Sequence, residues 1–237
     1  MKIEILFSKL CNQFGDSKNI LYLQKSAPDA EFFMTEITDS APHFAEEDVD
    51  LLYMGSMNEK AQKRVVDFLS PYKARIEELV EKGKVFLMTG NAMEIFTKRI
   101  ENLTEKTSFD GLGLFDLTTK IDLFARFNGK VLGKVEDMEI VGFKSQFSMV
   151  YGDNTKEAFF PATRGIGINK ESKFEGIRRK NFFGTHILGP ILVLNPLFTE
   201  YLLRLAGAKE PKAAFREEAL AAYEVRLKEF HDPKIPF

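Results

Sequence analysis

Along the first hundred residues, short apolar runs alternate with longer stretches in which apolar positions recur every three or four residues. The short runs predict buried strands, and the longer stretches predict helices with one apolar face. The strands are expected at 3–7, 31–37, 50–55 and 84–88, and the helices at 16–25, 59–82 and 92–100. Strands and helices in alternation are typical of βαβ units, so this half predicts an α/β fold with a mainly parallel sheet.

Local signals set the bounds of these helices. Asp16 and Ser17 offer N-cap chemistry for the first helix. Pro71 is expected to divide the long helical stretch in two, since proline lacks the N–H and clashes with the preceding turn. Gly83 is a plausible C-terminal stop.

The pattern changes after residue 105, where glycines separate short β-like runs at 121–127, 138–143 and 147–151. This half is expected to supply the edge strands of the sheet and the strand that leads to Gly184. A last strand-and-turn region is predicted at 183–194, and a helix at 196–205 begins with Asn-Pro. Residues 1–207 are taken as one domain. Residues 208–237 form a C-terminal tail with an amphipathic helix at 213–230, whose apolar positions are Phe215, Leu220, Tyr223 and Leu227.

Composition narrows the classes of function. Lys+Arg 33 against Asp+Glu 35 gives a net charge of -2, which indicates neither a nucleic-acid nor a membrane-surface partner. No apolar run approaches the roughly 20 residues of a membrane helix, so a soluble cytoplasmic protein is expected. Cys11 is the single cysteine, and His43, His186 and His231 lie far apart. These counts exclude an internal disulfide and predict neither a metal site nor a cofactor.

Three segments could carry chemistry. The first is the strand that ends in Thr89-Gly90-Asn91, because a strand that turns sharply into a helix resembles a nucleophile elbow, with Thr89 at the apex. An ordinary βα junction with a Thr N-cap fits the same residues. The second segment, 183–190, contains His186, which is either a catalytic base or a hydrogen-bonded structural residue.

The third segment is the strand that ends in Gly55-Ser56 before a helix. Its backbone N–H groups are placed where an oxyanion or a carboxylate could bind. The same residues also fit a common loop, so this segment is weak evidence when it is taken alone.

Taken in order, these segments resemble the type 1 glutamine amidotransferases in their cobyric-acid-synthase-like branch, most closely the glutaminase subunits of lipid II isoglutaminyl synthases. The resemblance covers most of the chain and is carried by residues 12–21, 52–56, 111–116, 142–146 and 184–196. It implies a three-layer, flavodoxin-like α/β sandwich with a mainly parallel central sheet. It also implies a Mur-ligase-like synthetase as partner, in the amidation of a cell-wall precursor or a related pathway, and glutamine or a related amide as ligand.

Two departures from the family pattern concern catalysis. The family's Cys-Gly-Gly elbow is Thr89-Gly90-Asn91 here, and the family's base position holds Leu188, with His186 two residues earlier. A threonine hydroxyl is negligibly ionised at neutral pH, unlike a cysteine thiol. In an extended segment His186 and Leu188 share a face but lie roughly 7 Å apart. The resemblance therefore implies a subunit that has lost ordinary glutamine hydrolysis.

Other hypotheses stay open at this stage. One is an active amidohydrolase with Thr89 as nucleophile and His186 as base, and another is a stand-alone protein that binds an amide or amino acid. The expected ligand-binding residues are Gly55, Ser56, Gly90, Asn91 and Arg126. Arg126 lies where the family has an arginine and would hold a carboxylate through a bidentate contact, or it forms a surface salt bridge.

Overall fold

The central sheet of the computed structural model, which describes residues 1–188 and 190–237, has six strands. Gly189, part of the predicted 183–190 segment, lies outside the described residues. In spatial order β13-β14-β4-β3-β1-β2, the strands are Ile177–Arg179, Phe182–Thr185, Val85–Thr89, Leu51–Met54, Lys2–Leu6 and Glu31–Thr35. All neighbouring pairs are parallel except β13 with β14. The five parallel strands follow the flavodoxin-like order, which confirms the predicted sheet.

Helices cover both faces of this sheet and make it the middle layer of a sandwich. Side chains of β4 alternate between two apolar cores: Phe86 and Met88 face one, and Val85 and Leu87 face the other. The first core also contains residues of α2 (Glu59–Leu69) and α3 (Lys73–Glu81). The second contains residues of α1 (Asp16–Ser26) and α5 (Pro196–Leu205). This period of two confirms the three-layer prediction.

The β-rich half departs from its predicted role, because only β13 and β14 join the central sheet. The other strands form two separate four-stranded sheets. One has the order β10-β7-β5-β6, with strands Ser148–Tyr151, Phe115–Ile121, Thr97–Asn102 and Thr107–Asp110. The other has the order β12-β11-β8-β9, with strands Phe174–Glu175, Phe160–Arg164, Phe127–Val135 and Met138–Gln146. The predicted strand at 121–127 is wrong, since a turn joins β7 to β8.

Pro71 separates α2 from α3 as predicted, through a 3-10 turn at Ser70–Tyr72. Two other helix predictions need correction. The predicted helix at 92–100 is absent: Gly90–Phe96 form a 3-10 helix, and β5 begins at Thr97. Residues 92–96 are all buried, so no polar helical face reaches water. Asp16 does not cap α1, because Gly15 holds that position with φ +87° and the carboxylate of Asp16 points into the protein.

The C-terminal helix α6 (Arg216–His231) follows α4 (Ile191–Leu194) and α5 and packs on β9. Tyr223 is buried and donates a hydrogen bond from its hydroxyl to the carbonyl of Glu139 at 2.7 Å. Phe215 is 66% exposed and precedes the helix, so its expected place on the apolar face is wrong. No helix within residues 1–188 and 190–237 combines the length and apolar character needed to span a membrane.

Candidate functional site

A small cavity lies at the carboxyl edge of the parallel strands, where ligands bind in flavodoxin-like sheets. Its volume is about 230 Å³. The described residues that line it come from the segments after β3, β4 and β14, from the 3-10 turn before α1 and from the junction of β9 with β10. They are Gln13, Phe14, Ser56, Met57, Glu59, Gly90, Asn91, Ser145, Gln146, Phe147, Ser148, His186 and Leu188.

The apex of the turn after β4 is Gly90, and the prediction that Thr89 occupies it is wrong. Gly90 has φ +59°, in the left-handed region, whereas Thr89 is extended with φ −101° and ψ 148°. A Cβ placed on Gly90 would lie 2.9 Å from Leu188 Cδ2 and 2.7 Å from Ser56 Cβ. A side chain at the apex would therefore point at Leu188, the position where the resemblance predicts the base. Gly90 has no side chain to place there, and the leucine side chain cannot accept a proton.

Thr89 faces the interior instead of the cavity. Its side chain is 0% exposed, and it is not among the residues that line the cavity. Its hydroxyl donates to Asp16 Oδ1 at 3.0 Å and lies 3.3 Å from the hydroxyl of Tyr53. A hydroxyl held in this way serves as a structural hydrogen-bonding group and has no route to a ligand in the cavity.

The buried carboxylate of Asp16 is the centre of this arrangement, which we call the Asp16 network (Asp16, Asn19, Tyr53, Ser56 and Thr89). Its Oδ1 accepts from Tyr53 at 3.0 Å and from Asn19 at 3.1 Å. Its Oδ2 accepts from both the backbone N–H, at 2.5 Å, and the hydroxyl of Ser56. Burial raises the pKa of Asp16, and these hydrogen bonds oppose that shift. Burial, with the charge of Asp16, also raises the pKa of Tyr53.

Sequence reasoning missed the role of Asp16, although this residue lies in the 12–21 segment of the resemblance. An aspartate at the start of a helix can cap that helix or can turn its carboxylate into the protein. The sequence is the same in both cases, and only the direction of the side chain differs. The network explains why the predicted anion site after β3 fails, since Asp16 already accepts from the N–H of Ser56. Gly55 is packed as tightly: a Cβ there would lie 2.5 Å from the carbonyl oxygen of Cys11.

His186 belongs to a second polar group, which we call the Glu94 cluster (Gln62, Glu94, Gln146, Ser148 and His186). His186 Nε2 lies 3.0 Å from Glu94 Oε1, and the Ser148 hydroxyl donates to the same oxygen. Gln62 Nε2 donates to Glu94 Oε2 at 2.7 Å. His186 and Leu188 both line the cavity, as their predicted common face requires. No sequence signal marked Glu94, which stood inside a predicted helix.

A buried ion pair fixes the backbone at His186. Lys144 and Glu175 pair with fully buried side chains, and Glu175 Oε1 accepts from the N–H of His186 at 3.0 Å. The same oxygen accepts from the Thr185 hydroxyl at 2.8 Å. Burial lowers the pKa of Lys144, and the carboxylate of Glu175 opposes that shift. The ion pair joins β9 to β12, and the hydrogen bonds that Glu175 accepts fix the backbone at the end of β14, where His186 begins.

The remaining predicted ligand residues lie at or near the cavity. Asn91 lines it, but both polar atoms of its side chain bond the backbone of Met57, at 2.9 and 2.7 Å. Arg126 is exposed at the rim, where Nη2 donates to the Ser145 hydroxyl at 2.7 Å and the guanidinium lies over the ring of Phe147. No ion pair of Arg126 occurs among the described residues. Cys11 is buried, which raises the pKa of its thiol and leaves it unreactive.

Comparisons with known proteins find relatives that match most of the chain. Two relatives are lipid II isoglutaminyl synthase (glutamine-hydrolysing) subunits GatD. The one from Staphylococcus aureus (strain N315) is 28% identical over 224 residues, covering 91% of this chain and 90% of the relative. The one from Streptococcus pneumoniae (strain ATCC BAA-255 / R6) is 26% identical over 227 residues, with coverage of 94% and 86%.

Solved structures show the same fold. A chain of PurLQS from Thermotoga maritima is similar with a TM-score of 0.54 at 10% identity, over 95% of this chain and 98% of that chain. A glutamine amidotransferase from Thermotoga maritima has a TM-score of 0.51 at 11% identity, with coverage of 97% and 91%. The family model of the CobB/CobQ-like glutamine amidotransferase domain matches residues 2–195. With that match over most of its length, the chain belongs to the CobB/CobQ-like glutamine amidotransferase domain family.

Proposed function

We propose that this protein is a non-hydrolytic, glutamine amidotransferase-like subunit of a Mur-ligase-like synthetase that forms amide bonds on a cell-wall precursor or a related substrate. Support for the subunit role comes from the two relatives, whose names describe subunits of lipid II isoglutaminyl synthase. Support for the loss of hydrolysis comes from one observation: Gly90, without a side chain, faces Leu188.

The chemistry of amide hydrolysis explains the weight of that observation. The reaction needs a nucleophile at the apex of the turn and a base within hydrogen-bond reach of it. A glycine and a leucine supply neither group. Thr89 is a poor replacement, because its hydroxyl is buried against Asp16 and does not line the cavity. This burial also weighs against the alternative of an active amidohydrolase with Thr89 as nucleophile.

The test combines purification with a glutamine assay. The tagged protein is purified from its native host in mild salt, its companions are identified, and glutamate release from L-glutamine is measured with the recovered material. A stoichiometric ligase-like partner and no glutamate release are expected. Recovery of the protein alone would overturn the subunit role. Glutamate release that persists in the preparation and disappears with Gly90→Ala would overturn the loss of hydrolysis.

The cavity favours a second candidate, a stand-alone protein that binds a small amide or amino acid. It is lined by polar and apolar groups together and partly walled by buried side chains, as a binding site requires. Purification separates the two candidates, since a stand-alone binder is recovered without a ligase-like partner. Phe124, in the same loop as Arg126, is 90% exposed and supports the subunit role, because an apolar side chain in water is suited to a partner surface.

A further inference from the structure

The C-terminal helix α6 carries apolar side chains on two opposite sides. On the inner side Tyr223 and Phe230 are buried against the domain. On the outer side Val225 is 67% exposed, and Ala221 is exposed as well. Among the large apolar side chains of the described residues, only Phe124 is more exposed than Val225. A surface helix usually turns polar residues to water, so the outer side of α6 is suited to a protein partner.

Exposed charges of opposite sign lie at the two ends of this outer side. Glu218 lies one turn before Ala221, and Lys228 lies one turn after Val225. The four residues are spaced three, four and three apart, which aligns them along one side of the helix. We call them the outer row (Glu218, Ala221, Val225 and Lys228). Neither Glu218 nor Lys228 forms an ion pair within residues 1–188 and 190–237, so both charges are available to a partner.

The outer row is complementary to itself when a second copy lies antiparallel to the first. A twofold axis at the level of Tyr223 places Glu218 of one copy opposite Lys228 of the other. The same axis places Ala221 opposite Val225, a small side chain against a larger one. Each contact occurs twice, because a twofold axis repeats every contact of the interface. A parallel pair would oppose Glu218 to itself and Lys228 to itself, so the charges select the antiparallel arrangement.

The remaining charges of α6 are largely balanced within each copy. The same axis brings Glu217 near Glu229 of the other copy, which is a contact between like charges. Glu229, however, lies 3.6 Å from the ammonium group of Lys130 and 3.9 Å from the guanidinium of Arg226 in its own chain. These cations offset the repulsion, so the contact between the two glutamates does not reverse the preference set by the outer row.

We propose that α6 is a dimerisation helix, which pairs antiparallel with α6 of a second copy of this chain through the outer row. Its 16 residues span about 24 Å, and a single helix pair of this length buries less than the roughly 1,600 Å² of a standard interface. The dimer is therefore expected to be weak and to exchange with the monomer. No residue of α6 is among the described residues that line the cavity, so this inference goes beyond the proposed function and does not rest on it.

Sedimentation-velocity ultracentrifugation of the full-length chain over a wide range of concentrations tests the proposal. A reversible shift from monomer to dimer is expected, and high salt should weaken it because the end pairs are exposed ion pairs. Val225→Asp should raise the dissociation constant about tenfold or more, since it places a charge at the apolar centre of the interface. Phe124→Ser is the matched control: it also removes a large exposed apolar side chain, but outside α6, and should leave the constant unchanged.

Two results of this experiment would overturn the dimer. One is a chain that stays monomeric at every concentration, and the other is a dimer that Phe124→Ser weakens while Val225→Asp does not. Circular dichroism verifies that each variant is folded, and Val225→Ser provides a second variant if Val225→Asp is not. If the wild-type chain is monomeric and Val225→Asp removes a ligase-like companion from the purified protein, the outer row belongs to that companion and the second copy is rejected as its occupant.

An exchange of charges tests the antiparallel register. Glu218→Lys places two lysines opposite each other at both ends of the interface, so the dissociation constant should rise about tenfold or more. Adding Lys228→Glu to the same chain restores opposite signs at both ends and should return the constant to the wild-type value. In a parallel pair the double variant would again oppose like charges. A folded double variant that dimerises no better than Glu218→Lys would therefore refute the proposed pairing.

Discussion

The two polar groups at the carboxyl edge of the sheet differ in how completely their hydrogen bonds are made. In the Asp16 network every buried side-chain N or O atom has a partner, and five donors converge on one carboxylate. In the Glu94 cluster three buried acceptors have no partner among the described residues: Gln62 Oε1, Gln146 Oε1 and His186 Nδ1. A complete network stabilises the fold, while each buried acceptor without a partner costs stability.

The largest effect is expected from Asp16→Ala. It leaves the donors of Ser56, Tyr53 and Thr89 buried without an acceptor, so the free energy of unfolding should fall by about 3 kcal/mol or more. Urea unfolding followed by circular dichroism measures the change. Asp116→Ala is the matched control, because that side chain is 88% exposed and its substitution should stay within about 0.5 kcal/mol. Similar losses in both variants would show that the network is not the stabilising element.

A smaller loss in the free energy of unfolding, about 2–3 kcal/mol, is expected for Gly90→Ala. The new Cβ must adopt φ +59° and would contact Ser56 and Leu188 at 2.7 and 2.9 Å. Gly113→Ala is the control: it has φ +68°, but the nearest atom to its Cβ is the flexible Lys73 Nζ at 3.5 Å. Gly113→Ala therefore measures the cost of positive φ alone, and its free energy of unfolding should fall by about 1 kcal/mol. Equal losses in urea unfolding would contradict the crowding at the apex.

Thr89→Val keeps the shape of the side chain and removes its hydroxyl. Asp16 loses one of its five donors, so a loss of about 1 kcal/mol is expected in the same unfolding experiment. Glutamate release from L-glutamine should be unchanged, because the hydroxyl does not line the cavity. The neighbouring Thr97→Val, which removes another buried hydroxyl bonded to a carbonyl, controls for loss of any buried hydroxyl. Glutamate release that the wild type shows and Thr89→Val alone abolishes would revive the role of Thr89 as nucleophile.

The pH dependence of the free energy of unfolding tests the buried carboxylate of Asp16. Burial raises the pKa of Asp16 above its ordinary value of 3.8, so the folded protein holds this proton to higher pH than the unfolded chain does. Between the two pKa values the folded state binds more protons, and the free energy of unfolding falls as pH rises. Asp16→Asn should lose this dependence, while Asp116→Asn should keep it. Parallel pH profiles of wild type and Asp16→Asn from pH 4 upward would refute the shift.

The fold was predictable where one property of a segment decided its structure. The continuous apolar run of β4 predicted a buried strand, and the proline between α2 and α3 predicted the break between the two helices. The prediction failed at residues 92–100, because side chains buried on every side show no periodicity that separates a helix from a 3-10 turn. The separate β-sheets also depend on long-range pairing, which the local pattern of the second half does not contain.

The candidate site was predictable in place but not in orientation. The ends of β3, β4 and β14 were identified, and their residues do meet at one cavity. The direction of each side chain was the missing information. Glycine is the residue that adopts positive φ without strain, so Gly90 was a detectable signal for the apex. Nothing in the sequence pairs Glu94 with His186, which lie 92 positions apart.

The smallest effect on stability is expected from Gln146→Leu, and it tests the comparison most directly. The substitution removes the hydrogen bonds donated to the carbonyl of Ser148 and, more weakly, to the sulfur of Met149, together with the unpartnered Oε1 and its desolvation cost. These two terms oppose each other, so the free energy of unfolding should change by no more than about 1 kcal/mol in the absence of ligand. A loss as large as that of Asp16→Ala would instead place Gln146 among the structural groups. The distinction between complete and incomplete hydrogen bonding would then no longer separate the Asp16 network from the Glu94 cluster.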